Sequence, residues 1–305
     1  MTLIPTILIL SAWTFLGFLS GWQKWFPKQI FFILNKIVFI LLLPLFIFVS
    51  TVNNFNYNYF LSNIIIIFGQ CFFVVPAALL VLFFYSRTEK KFVFNILAFQ
   101  NAGYLPLPVL LAFPNNHELL LLLFLFLVGF NLIIFSLGYW IMNKKTHISE
   151  IINPPITATI LSFALVIADH FFTFLPDAQS LQPLLAPLAK IISILFFPIL
   201  FFVFGGFIAD QYQHLKNLDL ILHLKISISK YLLFPLLVIM LKPFVSADIF
   251  TILFIQSLMP PAMNLLTIPE KEKDILTMNN YLFAQYLVFI LLVIPAFLVI
   301  QWLFK

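Results

Sequence analysis

Charge is the scarcest property of this chain. Of 305 residues only 9% are charged, 63% are hydrophobic, and mean hydropathy is +1.11. A soluble domain is about a quarter charged and about half apolar. A protein core cannot absorb this excess, so the solvent for most of these side chains must be lipid. Cysteine is nearly missing: Cys71 stands alone. That excludes an intramolecular disulfide framework and a multi-cysteine metal site, and its apolar surroundings mark it as a packing residue. The opening MTLIPTILIL has no basic stretch, so no cleaved signal peptide is expected. Strict alternation is absent too. Runs such as LLLLLFLFLVGF do not resemble the ~10-residue alternating strands of a membrane barrel.

The charge that is present sums to +5. It does not point to nucleic acid, because the lysines sit in short loops between apolar runs rather than on one basic face. The apolar runs approach the ~20 residues that a helix needs to cross the hydrocarbon layer. The fold class expected is an all-α integral membrane protein with ten transmembrane helices. They fall at roughly 2–21, 29–52, 59–84, 92–113, 118–142, 156–175, 183–208, 219–241, 248–267 and 276–303.

Orientation follows from the lysines. With the N-terminus outside, the inside loops hold Lys24, Lys28, Arg87, Lys90, Lys91, Lys144, Lys145, Lys216, Lys271 and Lys273, and the outside segments hold only Lys242 and Lys305. This is a strong positive-inside bias, and it puts both termini outside. Trp22, Trp25, Trp140 and Trp302 then fall at the interfaces as belt anchors.

One segment occurs twice. Residues 34–49, LNKIVFILLLPLFIFV, and residues 188–203, LAKIISILFFPILFFV, lie 154 residues apart and agree at eight of sixteen positions, including Lys36/Lys190 and Pro44/Pro198. At the same offset Pro106 falls on Pro260. The division expected is a first five-helix repeat over 1–142, a connecting cytoplasmic loop over 143–155, and a second repeat over 156–305. Five is odd, so the second copy enters the membrane from the opposite side and the repeat is inverted. Inverted repeats with interrupted helices are the layout of secondary transporters, with the site near the bilayer midplane.

The interruptions are visible in the fourth and ninth spans. The fourth carries Gln100, Asn101, Gly103, Tyr104, Pro106 and Pro108, and the ninth carries Gln256, Pro260, Pro261 and Asn264. Proline lacks an N–H and clashes with the preceding turn, and in lipid the freed backbone groups must find partners in protein or a wet cavity. Two broken helices that cross are expected, each second half starting near its prolines. Such a helix start presents N–H groups and partial positive charge to an anion, and Asn101 and Asn264 add side-chain amides. Lys230 lies centrally in the eighth span, where a cation is costly and functional by default; it could pair with a substrate carboxylate. Lys36 and Lys190 lie nearer helix ends and can snorkel. Asp169 and His170 read as an interfacial pair. No Asp or Glu occurs in either crossing segment, which argues against cation antiport by midplane carboxylates.

QNAGYLPLPVLL and LMPPAMNLLTI resemble the crossing helices of the auxin efflux carrier family, which includes the plant PIN and PIN-like proteins and bacterial carboxylate carriers. The chain resembles a bacterial-type member, although many of those have Gly where Pro106 stands here. The resemblance implies a scaffold from helices 1, 2, 6 and 7, a mobile transport domain from the rest, and elevator-type movement of small organic anions or carboxylates. By motif it carries Asn101, Pro106, Pro260 and Asn264 over as crossing positions. The substrate-binding set expected is therefore Asn101, Gly103, Tyr104, Pro106, Pro108, Gln256, Pro260, Pro261, Asn264 and Lys230. No cofactor, metal or catalytic residue is expected. Protons or sodium are the coupling-ion candidates, sodium through carbonyls and amides. A homodimer is implied by resemblance alone, and the expected location is a bacterial cytoplasmic membrane. The competing readings are an integral membrane enzyme and a lipid flippase. For the enzyme, Glu270, Glu272 and Asp274 read as a solvated helix start, and His117, His147 and His214 show no ligand spacing, so no enzymatic activity is expected.

Overall fold

The computed structural model describes residues 3–111, 113, 116–142, 152–172, 178–213 and 219–296. Most of the expected connecting loop, with Lys144 and Lys145, lies outside these residues, as do Lys216, Trp302 and Lys305. The described elements are α1 (Leu3–Trp22), α2 (28–54), α3 (57–84), α4 (Lys90–Ala98), α5 (Pro106–Leu111), α6 (116–141), α7 (Pro154–Phe172), α8 (Ala178–Gln213), α9 (220–241), α10 (Ala247–Leu258) and α11 (272–293). Among the described residues there is no strand; the β-type contact is a single bridge between Gln100 and Pro261.

Among the described residues, seven stretches are long and apolar enough to cross a membrane: Lys28–Asn53, Tyr57–Phe84, His117–Ile141, Pro154–Phe172, Lys190–Tyr212, Leu220–Phe244 and Glu272–Ala296. Ile9–Trp22 and Ala247–Leu258 are shorter apolar helices. The fourth and ninth expected spans are broken, as their prolines require. The fourth is split into α4 and α5, and the ninth into α10 and a 3-10 turn, Met263–Thr267. Large apolar side chains face outward along these helices, for example Phe83, Phe172 and Ile221, which suits lipid. Cys71 is exposed rather than packed in the core.

Several prolines inside the long helices follow a local change of hydrogen-bond register, while Pro76 and Pro198 lie within α-helical stretches. Four five-residue π-turns occur among the described residues: Val38–Leu42, Ile134–Gly138, Ser229–Leu233 and Phe289–Val293. Three of them end two residues before a proline, Pro44, Pro235 or Pro295. A proline strips one N–H from the ladder, and a widened turn just ahead of it redistributes the carbonyls.

The chain divides into two compact units. One comprises the described residues of Met1–Ile65, Leu107–Val128 and His147–Asp210; the other those of Ile66–Pro106, Gly129–Thr146 and Gln211–Lys305. In the first unit, the C-terminal half of α2 packs along α7, with Phe55 and Phe60 against Phe163. The two similar segments meet there: Phe46 of α2 stacks on Phe196 of α8 at 5.8 Å, and Phe31 stacks on Phe202 at 5.5 Å. Lys28 and Asp210 form an ion pair at 2.8 Å. Lys36 and Lys190 are exposed, and the His170 ring stacks on Tyr57 at 4.0 Å.

In this unit α1 and α8 touch backbone to backbone. A Cβ on Gly205 would stand 1.9 Å from the Thr14 carbonyl oxygen, and one on Gly17 would stand 1.9 Å from the Phe202 carbonyl oxygen. Small residues that permit such approach are how helices associate where lipid removes the hydrophobic drive.

In the second unit, the part of α3 after residue 70 packs on α4, α9 on α10 and α11, and α11 on α4. Phe92 stacks on Tyr281 at 5.9 Å, and Phe73 lies against Phe234. Lys91 and Asp274 form an ion pair at 2.6 Å.

Gly205→Ala must push α1 and α8 apart. Overpacking of this kind costs about 1–3 kcal/mol, so the variant should melt at a lower temperature than the parent in detergent. An unchanged melting curve would contradict the close contact.

Candidate substrate site at the crossing of two broken helices

α4 ends at Ala98, and Phe99 turns extended at φ −116°, ψ 96°. The chain stays non-helical until Pro106 opens α5. The residue before a proline is driven out of the α region, and proline suits a first helical position. Asn101 completes this start: its Oδ1 accepts from the Tyr104 N–H at 3.2 Å and the Leu105 N–H at 3.4 Å. α10 ends at Leu258, with Met259 extended at φ −73°, ψ 144°. Here the outcome differs from expectation. Pro260 and Pro261 do not start the second half but lie in the extended link before the 3-10 turn.

The two links pair antiparallel. The Asn101 N–H donates to the Pro260 carbonyl at 2.6 Å, and the Ala262 N–H donates to the Phe99 carbonyl at 2.9 Å. Gln100 and Pro261 face each other as the pair whose own N–H groups take no part. Pro261 therefore occupies this register at no cost in ladder bonds, whereas Pro260, opposite Asn101, accepts with its carbonyl but has no N–H to return a bond.

Side chains satisfy three further carbonyls at the crossing. Gln70 of α3 donates Nε2 to the Ala98 carbonyl at 2.6 Å, and Gln100 donates Nε2 to Gln70 Oε1 at 3.0 Å. Gln256 of α10 donates Nε2 to the Ala102 carbonyl at 2.9 Å. The Tyr286 hydroxyl of α11 donates to the Pro261 carbonyl at 2.7 Å and accepts from Asn101 Nδ2 at 3.4 Å. Gln70, Gln100, Asn101, Gln256 and Tyr286 are all buried. A second layer joins α9 to α11: the Tyr231 hydroxyl donates to the Gln285 carbonyl at 2.9 Å, Ser227 Oγ donates to Gln285 Oε1 at 3.2 Å, and Gln285 Nε2 donates to the His223 carbonyl at 3.4 Å.

Among the described residues four buried amide oxygens have no hydrogen-bond partner, Asn95 Oδ1, Gln100 Oε1, Gln256 Oε1 and Gln211 Oε1; the first three belong to the two broken helices. They are acceptors, so a donor or a cation is what they can take. Lys230 lies in the π-turn of α9 and is only 2% exposed. Among the described residues the ion pairs are Lys28–Asp210 and Lys91–Asp274, so no acidic side chain is paired with Lys230.

Of the expected set, hydrogen bonds link Asn101 directly to Pro260 and Gln256 to Ala102 beside Asn101, and Pro261 joins through Tyr286. Gly103 and Tyr104 are half-buried in the turn before α5, Asn264 is half-buried in the 3-10 turn, and Pro106 and Pro108 belong to α5. Sequence reasoning missed Gln70, Tyr286 and Gln285. Each is a lone polar residue in an apolar span, which in lipid is itself a signal. Among the described residues no cluster of His, Cys, Asp and Glu could hold a metal ion.

Residues 1–148, a stretch that includes the first broken helix, match the family model for membrane transport proteins. No curated protein matches the chain.

Tyr286→Phe removes the hydroxyl that satisfies Pro261 and leaves a buried carbonyl unpaired, at about 1–3 kcal/mol. The variant should lose thermal stability in detergent by that order, whereas Tyr57→Phe, whose ring only stacks on His170 and Phe171, should not. Equal melting of the two would count against the network.

Proposed function

We propose that the chain, residues 1–148 of which match the family model for membrane transport proteins, is a carrier of the auxin efflux and PIN-like kind, a secondary active transporter of small organic anions, carboxylates first among them. The observation that carries this reading is the antiparallel pairing of the two links that interrupt these helices, both links lying in the second unit. Within a membrane, irregular backbone is tolerated only where protein buries it or where it lines a cavity, and in secondary transporters such broken helices form the substrate and ion sites.

The charge of the cargo is read from Lys230. A lysine buried with no acidic partner among the described residues is costly to keep charged, and an arriving carboxylate would supply the counter-charge. The half-buried amide of Asn264, the turn of Gly103 and Tyr104, and Pro106 complete the proposed site beside Asn101, Gln256, Pro260 and Pro261. Sodium is the coupling ion to test first, since the unpartnered oxygens of Asn95, Gln100 and Gln256 are neutral acceptors.

The movement proposed is of elevator type. The compact units support it: α1, α2, α7 and most of α8 fall in one unit, and the crossing falls in the other. The helical stretches are read as ten spans in two inverted repeats with both termini outside, and any homodimer as forming through the first unit.

The test is current recording on proteoliposomes challenged with mono- and dicarboxylates. A substrate-dependent current is expected, with Lys230→Gln raising the half-saturating concentration roughly 10- to 100-fold, as loss of a hydrogen bond to a charged group implies. Asn264→Ala should weaken it in the same direction. A silent panel from folded protein, with no accompanying proton movement, would reject the substrate class. An unchanged half-saturating concentration in Lys230→Gln would reject the lysine.

A further inference from the structure

A cavity of about 1220 Å³ opens where the end of α3, the start of α4, the end of α6 and the start of α11 come together, all within the second unit. Its composition is two-sided. One wall is apolar, with Val74, Ala78 and Leu82 of α3 and Leu137 and Trp140 of α6. Leu82 and Trp140 are also exposed on the outer surface, at 62% and 73%, so the apolar wall runs out onto the face of the protein that suits lipid.

The other wall is basic. Arg87, Lys90, Lys91, Lys271 and Lys273 line it against two acids, Glu89 and Asp274. Asp274 is taken by Lys91 at 2.6 Å, and Glu89 Oε2 accepts from Ser86 Oγ at 2.6 Å. Lys90 donates to the Leu82 carbonyl at 3.0 Å. Arg87, Lys271 and Lys273 remain exposed. α4 and α11 both begin in this wall, and neither start has a side-chain cap, so two helix dipoles add positive potential to the same place.

We propose that this groove binds an anionic phospholipid. The phosphate lies among Arg87, Lys271, Lys273 and the two helix starts, and an acyl chain follows Val74, Ala78, Leu82, Leu137 and Trp140. A soluble anion would use the basic wall and leave the apolar one idle; a phospholipid uses both, and basic pockets between membrane helices bind such headgroups. The lysine-rich ends assign it to the cytoplasmic leaflet. The inference needs the chain to be in a bilayer and does not depend on what it transports. Its consequence is that a lipid grips the starts of α4 and α11, and α4 leads directly into the crossing at Ala98 while α11 carries Tyr286.

Native mass spectrometry of the purified full chain with phosphatidylglycerol and with phosphatidylcholine tests it. Preferential retention of phosphatidylglycerol is expected, with roughly fivefold weaker binding for each cation removed in Lys271→Gln, Lys273→Gln and Arg87→Gln and no change for phosphatidylcholine. Lys271→Arg should bind as the parent does. Ala78→Phe, which fills the apolar wall and leaves every charge in place, should weaken phosphatidylglycerol alone. Equal retention of the two lipids by the parent, or unaltered phosphatidylglycerol binding in both kinds of variant, would overturn the proposal. Displacement of the lipid by glycerol phosphate with Ala78→Phe unaffected would overturn it in favour of a soluble anion.

Discussion

The structure depends on one constraint: in lipid, a helix cannot be broken unless every backbone group released by the break is bonded again. At the crossing the carbonyls of Ala98, Phe99, Ala102, Pro260 and Pro261 are each met by a named donor, from Gln70, Ala262, Gln256, Asn101 and Tyr286. The donors come from α3, α10, α11 and the two links themselves. The break is thus a joint product of elements far apart in the chain, and this explains why four amides and a tyrosine hydroxyl are buried in so apolar a protein. Removing any one donor leaves an orphan in the interior, where no water can stand in cheaply.

Much of this was legible in the sequence, for reasons that can be stated residue by residue. Proline has one unavoidable chemical defect, so Pro106 and the Pro260–Pro261 pair announced the breaks. Long apolar runs announced the helices. Asn101 was legible because an amide next to a break has an obvious use, although that use includes capping the start of α5. The long-range partners were not legible. Nothing local tells Gln70 that it faces Ala98, or Tyr286 that it faces Pro261; those pairings are made by tertiary packing. The behaviour of the two proline pairs was also beyond reach. Pro106 and Pro260 sit at the same offset as the similar segments, yet one opens a helix and the other is paired in an extended link. Gln100, not Pro106, is the residue opposite Pro261.

The two units are held by different means. In the first, stacked phenylalanines and glycine-mediated backbone contact join α1, α2, α7 and α8, and the described packing is mostly apolar. In the second, amides, hydroxyls and carbonyls form linked chains from α3 through the crossing to α11 and α9. Apolar packing tolerates volume-conserving change, whereas a polar network is sensitive to each member. Substitutions should therefore be borne unevenly, freely on one side of this division and poorly on the other.

The π-turns carry a further implication. A soluble protein that gains or loses a residue can usually lose the difference in a loop. A helix held at both ends by a bilayer has no such reserve in its middle, and a widened turn is where one surplus residue can be stored without moving either end. The π-turns of α6 and α11, Ile134–Gly138 and Phe289–Val293, stand 155 residues apart, one more than the 154 that relates the similar segments. The π-turn of α2, Val38–Leu42, has no counterpart in α8, which is continuous α-helix over the matching residues. Lys36/Lys190 and Pro44/Pro198 nonetheless keep the 154-residue spacing on either side of that turn, so the two copies differ there in how the helix is wound and not in how many residues it holds.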